Sequence, residues 1–165
     1  MGENILTLKL SFDKTNGMRK VIAAINMTLD GFCDHTAAIA DDELHQHYNE
    51  LLSQAGTIIF GRITYQLMES AWPAIVKNPT GNKPIDEFAV IIQNIPKIVF
   101  SRTLTDVQWE NAILAKGDLK EEIAELKKQP GKDILVGSPS LIIALTNLNL
   151  ISEYQLCVHP VIVGS

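Results

Sequence analysis

The sequence predicts a single α/β domain built around a largely parallel sheet. Its 165 residues are enough for one domain with a substantial core. Short apolar runs rich in β-branched residues alternate along the chain with segments of helical periodicity. This alternation is typical of parallel sheets whose faces are covered by helices.

The composition excludes several classes of protein. A hydrophobic fraction of 46% and a charged fraction of 20% are those of a globular protein with a packed core. No apolar run approaches the ~18 residues of a membrane span, and the N-terminus lacks the pattern of a secretory signal. The net charge is −5 and the Lys and Arg residues are scattered. We therefore expect neither a membrane nor a nucleic acid as partner.

The cysteines and histidines predict no metal site. Cys33 and Cys157 are isolated, so they form neither a disulfide framework nor a zinc site, which favours a reducing, cytoplasmic location. His45 and His47 lie two apart on a predicted helix and face different sides. We expect His159, in the last apolar strand, to be a hydrogen-bonded core residue.

Residues 1–17 form a leader ahead of the first buried strand. Within it, apolar residues alternate with polar ones over 6–12, which predicts a half-buried strand. The apolar members are Leu6, Leu8, Leu10 and Phe12, and the polar ones are Thr7, Lys9 and Ser11.

The next elements are a strand, a helix and a second strand–helix pair. Residues 19–29 predict a buried strand and 30–40 a loop. Asp41 or Asp42 caps a helix. Its apolar face recurs with helical spacing at Leu44, Tyr48, Leu51, Leu52 and Ala55. A strand over 57–60 and a helix over 63–70 follow.

Four more strands are predicted in the second half of the chain. They lie over 97–101, within 106–114, over 133–137 and over 153–163, the last interrupted at Pro160.

One helix precedes these strands and two lie between them. Residues 73–83 form a loop, after which Pro84 opens a short helix over 85–93. Asp118, with Glu121 three residues later, resembles a capping box and begins a helix that ends at Pro130-Gly131. Its apolar face is formed by Leu119, Ile123 and Leu126. Ser138-Pro139 begins the last helix, which reaches Asn147.

Three predicted strands end in residues suited to binding phosphate. They are followed by Gly61-Arg62, Ser101-Arg102 and Gly137-Ser138. Glycine lets the backbone approach a ligand, a helix starting there offers free N–H groups and a positive dipole, and arginine adds forked cationic donors. Since the carboxyl ends of parallel strands meet at one edge, these residues predict a dinucleotide site.

Each of these features also has an ordinary structural interpretation. A glycine after a strand often makes a turn, Ser138 is a natural helix cap, and an exposed arginine is commonly solvated. Neither G-x-G-x-x-G nor G-x-x-x-x-G-K-[ST] occurs, so ordinary Rossmann and P-loop sites are not predicted.

Four stretches carry a resemblance to a known family. They are INMTLDGF, IIFGRITYQLM with WP after it, KIVFSRTL, and ILVGSPSLIIALTNLNLISEYQLCVHPVIVGS. In this order, from Met18 to Ser165, the chain resembles the dihydrofolate reductase-like superfamily. It is most similar to the branch that includes the C-terminal reductase domain of the riboflavin-biosynthesis enzyme RibD. The resemblance implies a three-layer α/β/α sandwich with a mostly parallel central sheet, and NADPH as cofactor.

The resemblance also implies roles for individual residues. Those that would face the phosphates are Gly61, Arg62 and Thr64, with Ser101 and Arg102 at the adenosine 2′-phosphate and Gly137 and Ser138 at the pyrophosphate. The nicotinamide and the substrate would lie beside Ala24, Asn26, Asp30 and Gly31.

Asp30 and two further residues are candidates for contact with the substrate. Asp30 is the first candidate for a catalytic polar contact, because it follows a buried strand and precedes Gly31. The alternative is that Asp30-Gly31 is a turn dipeptide. Tyr65 and Trp72 would wall the substrate pocket, although a Trp before a Pro is equally consistent with packing. Gapless counting back from Gly61 puts His45 where dihydrofolate reductases carry an acidic residue, so folate reduction is not expected.

The ends of the chain depart from the family pattern. Domain 18–165 lacks the loop and hairpin that usually follow VIVGS. One interpretation is that the leader 1–17 supplies a strand that covers the open sheet edge, in the same chain or in a partner. The other is an incorrectly assigned start or a truncated end.

The expected function is that of a cytoplasmic NADPH-dependent reductase of a small heterocycle, either an aminopyrimidine or a pterin. The alternative is a degenerate, non-catalytic family member that keeps the fold for nucleotide binding or dimerisation. The three strand-end signatures favour the enzyme, and the missing hairpin favours the alternative. The resemblance also implies a homodimer.

Overall fold

The computed structural model describes residues 6–12, 17–33, 36 and 40–164. Its seven strands are β1 (Leu6–Ser11), β2 (Val21–Thr28), β3 (Ala55–Gly61), β4 (Lys97–Phe100), β5 (Ala112–Leu114), β6 (Asp133–Val136) and β7 (Glu153–His159). They form one sheet in the order β1-β7-β2-β6-β3-β4-β5. Only β1 runs antiparallel to its neighbour, and every other pair is parallel. The predicted mostly parallel sheet is confirmed.

Helices cover both faces of the sheet. They are α1 (Asp42–Gln54), α2 (Arg62–Lys77), α3 (Lys83–Asn94), α4 (Leu119–Lys128) and α5 (Pro139–Asn147). Consecutive strand residues point to opposite faces. Phe60 accordingly joins the apolar cluster under α1, α2 and α3, whereas Ile59 joins the one under α4 and α5. This arrangement confirms the three-layer α/β/α sandwich.

Two kinds of helix start distinguish the five helices. Asp41 caps α1 by accepting a hydrogen bond from the Leu44 N–H at 2.9 Å, and Asp118 caps α4 through the Lys120 N–H at 2.8 Å. Asn82 caps α3. In contrast, α2 and α5 begin without any side-chain cap. Since polar caps satisfy the first N–H groups of a helix, the starts of α2 and α5 leave such groups available.

The end predicted for α2 is wrong. The sequence indicates a helix over 63–70 and a loop from Pro73, but α2 continues to Lys77 with Pro73 inside it. Proline removes one backbone hydrogen bond and strains the preceding turn. Packing against α3 compensates, since the Trp72 ring lies against that of Phe88 at a tilt of 53°, with centroids 4.4 Å apart.

Two other boundaries differ from prediction. Ala55 begins β3 rather than ending the apolar face of α1. The last strand stops at His159 rather than at 163, because Pro160 has no N–H to continue a ladder.

The strand predicted in the leader is confirmed. β1 pairs with β7, with Leu6 opposite Val158 and Ser11 opposite Glu153. Its half-buried character is not confirmed, because all six residues are exposed, Leu6 by 56% and Leu8 by 42%. No described helix covers β1. That β1 replaces a missing hairpin stays a prediction.

Candidate active site

The carboxyl ends of three strands lie side by side. β3 is flanked by β6 and β4, and all three run parallel. Ile59 pairs with Val136 and Gly61 pairs with Phe100. Gly137 and Ser101, which directly follow β6 and β4, therefore lie beside Gly61. The predicted meeting of the three strand ends is confirmed.

The starts of α2 and α5 are joined by a hydrogen bond. Gly61 and Ser138 occupy the two N-cap positions. Ser138 does not cap α5 as the sequence predicts. Its buried Oγ instead accepts a hydrogen bond from the Gly61 N–H at 2.9 Å. The first turns of both helices thus keep N–H groups without a side-chain acceptor, directed at the same edge of the sheet.

The protein's own structure does not require glycine at positions 61 and 137. Neither residue has a positive φ, unlike Gly31 or Gly131. A Cβ on Gly61 would come no closer than 3.4 Å to another atom, Ser140 Oγ, and a Cβ on Gly137 would lie 3.7 Å from Ala24 O. Both are ordinary contacts. A Cβ on Gly61 would lie between the starts of α2 and α5, next to Ser138 and Ser140, so glycine keeps this gap free of a side chain.

Two arginines add positive charge at this edge. Arg62 is exposed in the first turn of α2, near half-buried Thr64, and its Nη1 donates to Gln66 Oε1 at 3.2 Å. Arg102 is exposed and has no hydrogen bond or ion pair among the described residues. Ser101 Oγ shapes the turn that carries Arg102 by accepting from two backbone N–H groups at 3.0–3.1 Å.

The site extends along β2, on the other side of β6. Ala24 and Asn26 project toward α1, and Ala24 is buried. Tyr48 of α1 donates its hydroxyl to Asn26 Oδ1 at 3.3 Å. Asn26 pairs across the sheet with Cys157 of β7. The face of β2 toward α1 is therefore apolar at Ala24 and polar at Asn26.

Asp30 is held in the turn that follows β2. Its carboxylate accepts hydrogen bonds from Thr28 Oγ1 at 2.5 Å and from the N–H groups of Val163 at 3.2 Å and Gly164 at 2.9 Å. Gly31 has φ +90°, and its N–H donates to Thr28 O. The bond from Thr28, followed by that from Gly164, lowers the pKa of Asp30. These contacts favour the turn interpretation over a proton-donating role.

Tyr65 and Trp72 have packing roles. Tyr65 is only 2% exposed. Its hydroxyl donates to Glu69 at 2.6 Å and accepts from the N–H groups of Gln108 and Trp109. Burial raises the Tyr65 pKa. The structure therefore places Tyr65 in the core rather than in a pocket wall, and Trp72 packs against Phe88.

His159 is the residue whose surroundings differ most from expectation. The sequence predicts a hydrogen-bonded core histidine. The side chain is buried, but neither Nδ1 nor Nε2 has a hydrogen-bond partner among the described residues. The sequence carries one signal for a functional role of His159, namely that its strand, if parallel to the glycine-bearing strands, ends at the same edge of the sheet.

Other kinds of site find no support in the described part of the chain. Within it, no group of three or more His, Cys, Asp or Glu side chains is arranged to hold a metal ion. No helix there combines the length and apolar character that a membrane crossing requires.

Comparison with known proteins places the chain in a family. A relative from Bacillus subtilis (strain 168), named YyaP and described as uncharacterized, is 33% identical over 150 residues, covering 88% of this chain and 77% of the relative. A Thermotoga maritima diaminohydroxyphosphoribosylaminopyrimidine deaminase/5-amino-6-(5-phosphoribosylamino)uracil reductase superposes with a TM-score of 0.59. Its identity is 18%, with 92% of this chain and 47% of that chain covered.

A second solved structure shares the fold. A dihydrofolate reductase from Enterococcus faecalis, complexed with NADP(H) and RAB-propyl, superposes with a TM-score of 0.50, at 16% identity over 78% of this chain and 65% of that one. The sequence model of the RibD C-terminal domain matches residues 19–165. The chain therefore belongs to the RibD C-terminal domain family, a reductase-like family with the dihydrofolate reductase-like fold.

Proposed function

We propose that this protein is an NADPH-dependent reductase of a small heterocyclic substrate, acting in the reducing cytoplasm. The observation that carries the proposal is the hydrogen bond of 2.9 Å between the Gly61 N–H and Ser138 Oγ. It joins two uncapped helix starts at adjacent strand ends. Two such starts side by side suit the paired phosphates of a dinucleotide.

The residues at this edge fit the phosphates of NADPH. Glycine at 61 and 137 adds no side chain beside the helix starts, and the first turns of α2 and α5 contribute N–H groups without a side-chain acceptor. Arg62 lies at the start of α2, and Arg102 extends from the turn after β4 with no partner among the described residues. Arg102 would hold the 2′-phosphate that distinguishes NADPH from NADH.

The substrate class comes from the family. NADPH supplies a hydride when bound, so the chain's own residues have to bind the substrate, orient it and exclude water. The Thermotoga protein is named as a deaminase of an aminopyrimidine and a reductase of an aminouracil, both of them amino-substituted pyrimidine rings. An aminopyrimidine or a pterin is accordingly the substrate we propose, with Asn26 on the substrate side.

The test is a titration with NADPH and with NADH, followed by nicotinamide fluorescence. We expect saturable binding that prefers NADPH. Arg102→Ala should weaken NADPH binding about tenfold or more and leave NADH binding unchanged, because the loss corresponds to a charge-assisted contact of ~1.5–3 kcal/mol. Arg62→Ala should weaken the binding of both NADPH and NADH.

The matched control is Lys128→Ala. This exposed lysine at the end of α4 pairs only with exposed Glu125 in the described structure, and α4 ends beside Arg19, far from the candidate site. The variant removes the same charge and should bind both nucleotides normally. A folded wild-type protein that binds neither nucleotide would overturn the proposal. Binding without reduction of any aminopyrimidine or pterin would favour the non-catalytic alternative.

A further inference from the structure

His159 lies at the same edge of the sheet as the candidate cofactor site. β7, β2, β6, β3 and β4 are consecutive and parallel, and His159 is the last residue of β7. It pairs with Thr28, the last residue of β2. Adjacent strands are about 4.8 Å apart, so β7 lies roughly 10 Å from the β6 strand that leads into Gly137.

The side chain of His159 projects toward α1. Residues two apart in a strand share a face, and Cys157 on that face hydrogen-bonds with Tyr48 of α1. Ala24 and Asn26 project to the same side of β2. His159 is therefore buried under the same face of the sheet as Asn26, next to the place where the substrate is proposed to bind, and the family resemblance assigned it no role.

The imidazole has polar atoms without partners. It is 1% exposed, and neither ring nitrogen forms a hydrogen bond among the described residues. A neutral imidazole presents one donor and one acceptor, and a protonated one presents two donors. In every state two buried groups lack a partner, and leaving each of them unpaired is unfavourable. Such groups require an explanation, and a ligand is one.

The neighbouring polar groups already bond to one another. Tyr48 donates to Asn26 Oδ1, and Thr28 Oγ1 donates to Asp30 while accepting from the Phe32 N–H at 3.0 Å. Because Asn26 accepts through Oδ1, its Nδ2 is the free end of the amide, and it has no acceptor among the described residues. Asn26 and His159 are thus left with unused hydrogen-bonding capacity on adjacent strands.

We propose that His159 is a substrate-contact residue that, together with Asn26, hydrogen-bonds the edge of the reducible heterocycle. The complementary ligand is a flat ring whose edge carries a donor beside an acceptor, as the amide and amidine edges of aminopyrimidines and pterins do. This assignment rests on the proposed reductase function, and it adds the residue that recognises the ring.

The test uses two probes, 2,4-diamino-6-hydroxypyrimidine and pterin, with the protein labelled with ¹⁵N at histidine. Either probe should shift the imidazole nitrogen resonances of His159, which the His159→Phe variant identifies. This variant keeps an aromatic ring and removes both polar atoms. It should be at least as thermostable as the wild type, bind NADPH within twofold, and bind the probe at least tenfold more weakly. His159→Gln, which keeps a donor and an acceptor, should recover part of the loss.

The outcomes separate this inference from the proposed function. If NADPH binds but neither probe shifts His159, the inference is overturned and the reductase proposal stands. The same holds if neither probe binds at millimolar concentration. If His159→Phe destabilises the protein and weakens NADPH and probe equally, the role is structural and the inference fails. If NADPH does not bind at all, the reductase proposal fails, and the probe shifts alone decide the role of His159.

Discussion

The polar groups at the two edges of the sheet differ in whether they have hydrogen-bonding partners. At the amino edge, where the parallel strands begin, buried charged side chains are paired with one another or with backbone carbonyls. At the carboxyl edge, helix N–H groups, an arginine and a buried imidazole lack partners within the described chain. The first arrangement stabilises the fold. The second keeps hydrogen-bonding capacity for a molecule that is not part of the protein.

Glu153 and Arg19 illustrate the amino edge. Buried Glu153 accepts from Lys9 Nζ at 3.1 Å and from Gln155 Nε2 at 2.7 Å. Buried Arg19 donates from Nε to Lys132 O at 2.5 Å and from its guanidinium to Thr57 Oγ1 at 2.9 Å. A cavity of 240 Å³ lies here, and Glu153 and Lys9 are among its lining groups. Their pairing leaves little for a ligand to bind.

Lys97 is the most buried charge at the amino edge. It is the first residue of β4 and 1% exposed. Its Nζ donates to the carbonyl oxygens of Gln93, Ile95 and Glu110 at 2.9–3.1 Å, and it lies 4.5 Å from the centroid of the Trp109 ring. The lysine thereby closes the carboxyl-terminal end of α3 onto the sheet.

The largest effect is expected for Lys97→Met. It removes the lysine donor from three carbonyl groups, of which Gln93 O keeps a hydrogen bond of 3.4 Å from Asn111 Nδ2. The free energy of unfolding, measured by urea denaturation, should therefore fall by about 3 kcal/mol. NADPH affinity should stay within twofold. Exposed Lys120→Met is the control and should change stability by less than about 0.5 kcal/mol. A loss below about 1 kcal/mol in Lys97→Met would contradict the stabilising role of this edge.

Gly61→Ala should give the opposite pattern to Lys97→Met, with weaker NADPH binding and no loss of stability. The added Cβ has room in the protein, so stability should be unchanged or about 0.4–1 kcal/mol higher through the unfolded state. NADPH should bind more weakly, because the added methyl group would lie between the two helix starts whose free N–H groups are proposed to bind the phosphates.

The control for Gly61→Ala is Gly56→Ala at the amino edge. There a Cβ would lie 3.2 Å from both Cβ and O of Lys132 and 3.3 Å from Arg19 Nη2. This variant should lose about 1–3 kcal/mol of stability and keep its affinity for NADPH. Equal affinities in the two alanine variants would refute the distinction between the edges.

A smaller effect is expected from the titration of Lys97. Burial lowers its pKa from 10.5 to about 8, partly opposed by Glu110. Above pH 8 the folded protein releases this proton while the unfolded chain retains it, so stability should rise with pH. The difference in the free energy of unfolding between the wild type and Lys97→Met should therefore increase by about 1 kcal/mol from pH 8 to pH 9. A difference independent of pH would show that the lysine titrates normally.

The smallest effect concerns Asp30, a group at the carboxyl edge that does have partners. Its hydrogen bond from Thr28 and that from the Gly164 N–H lower its pKa from 3.8. The stabilisation is therefore fully present above pH 3.8 and is lost as pH falls through the folded pKa. NMR titration of the Asp30 carboxyl carbon should give a midpoint below 3.8. A midpoint well above that value would restore the catalytic candidate.

The sequence predicted the strand ends of the candidate site where the signals are local. A β-branched run followed by Gly61 identifies the end of β3, and the alternation of strands and helices implies that such ends share an edge. The alternation over 6–12 likewise identified β1. Its exposure could not be predicted, because burial depends on which helices cover that part of the sheet.

The errors arise from contacts between distant residues. Ser138 looks like a helix cap, but its acceptor oxygen is taken by Gly61, 77 positions away. Tyr65 looks accessible beside Arg62, but its hydroxyl binds two N–H groups some 43 and 44 residues further on. His159 looks like an ordinary core residue because local sequence cannot show that a buried group has no partner.

The position of β7 also has a consequence for synthesis. This strand comes latest in the sequence among the seven, yet it lies between the two earliest, β1 and β2. While the chain is being made, neither early strand has the neighbour that separates them in the finished sheet. Until β7 has been synthesised, the backbone of β1 therefore lacks its neighbouring strand, and its apolar residues are open to contacts with other chains. Sequestration by a chaperone would matter most during that interval.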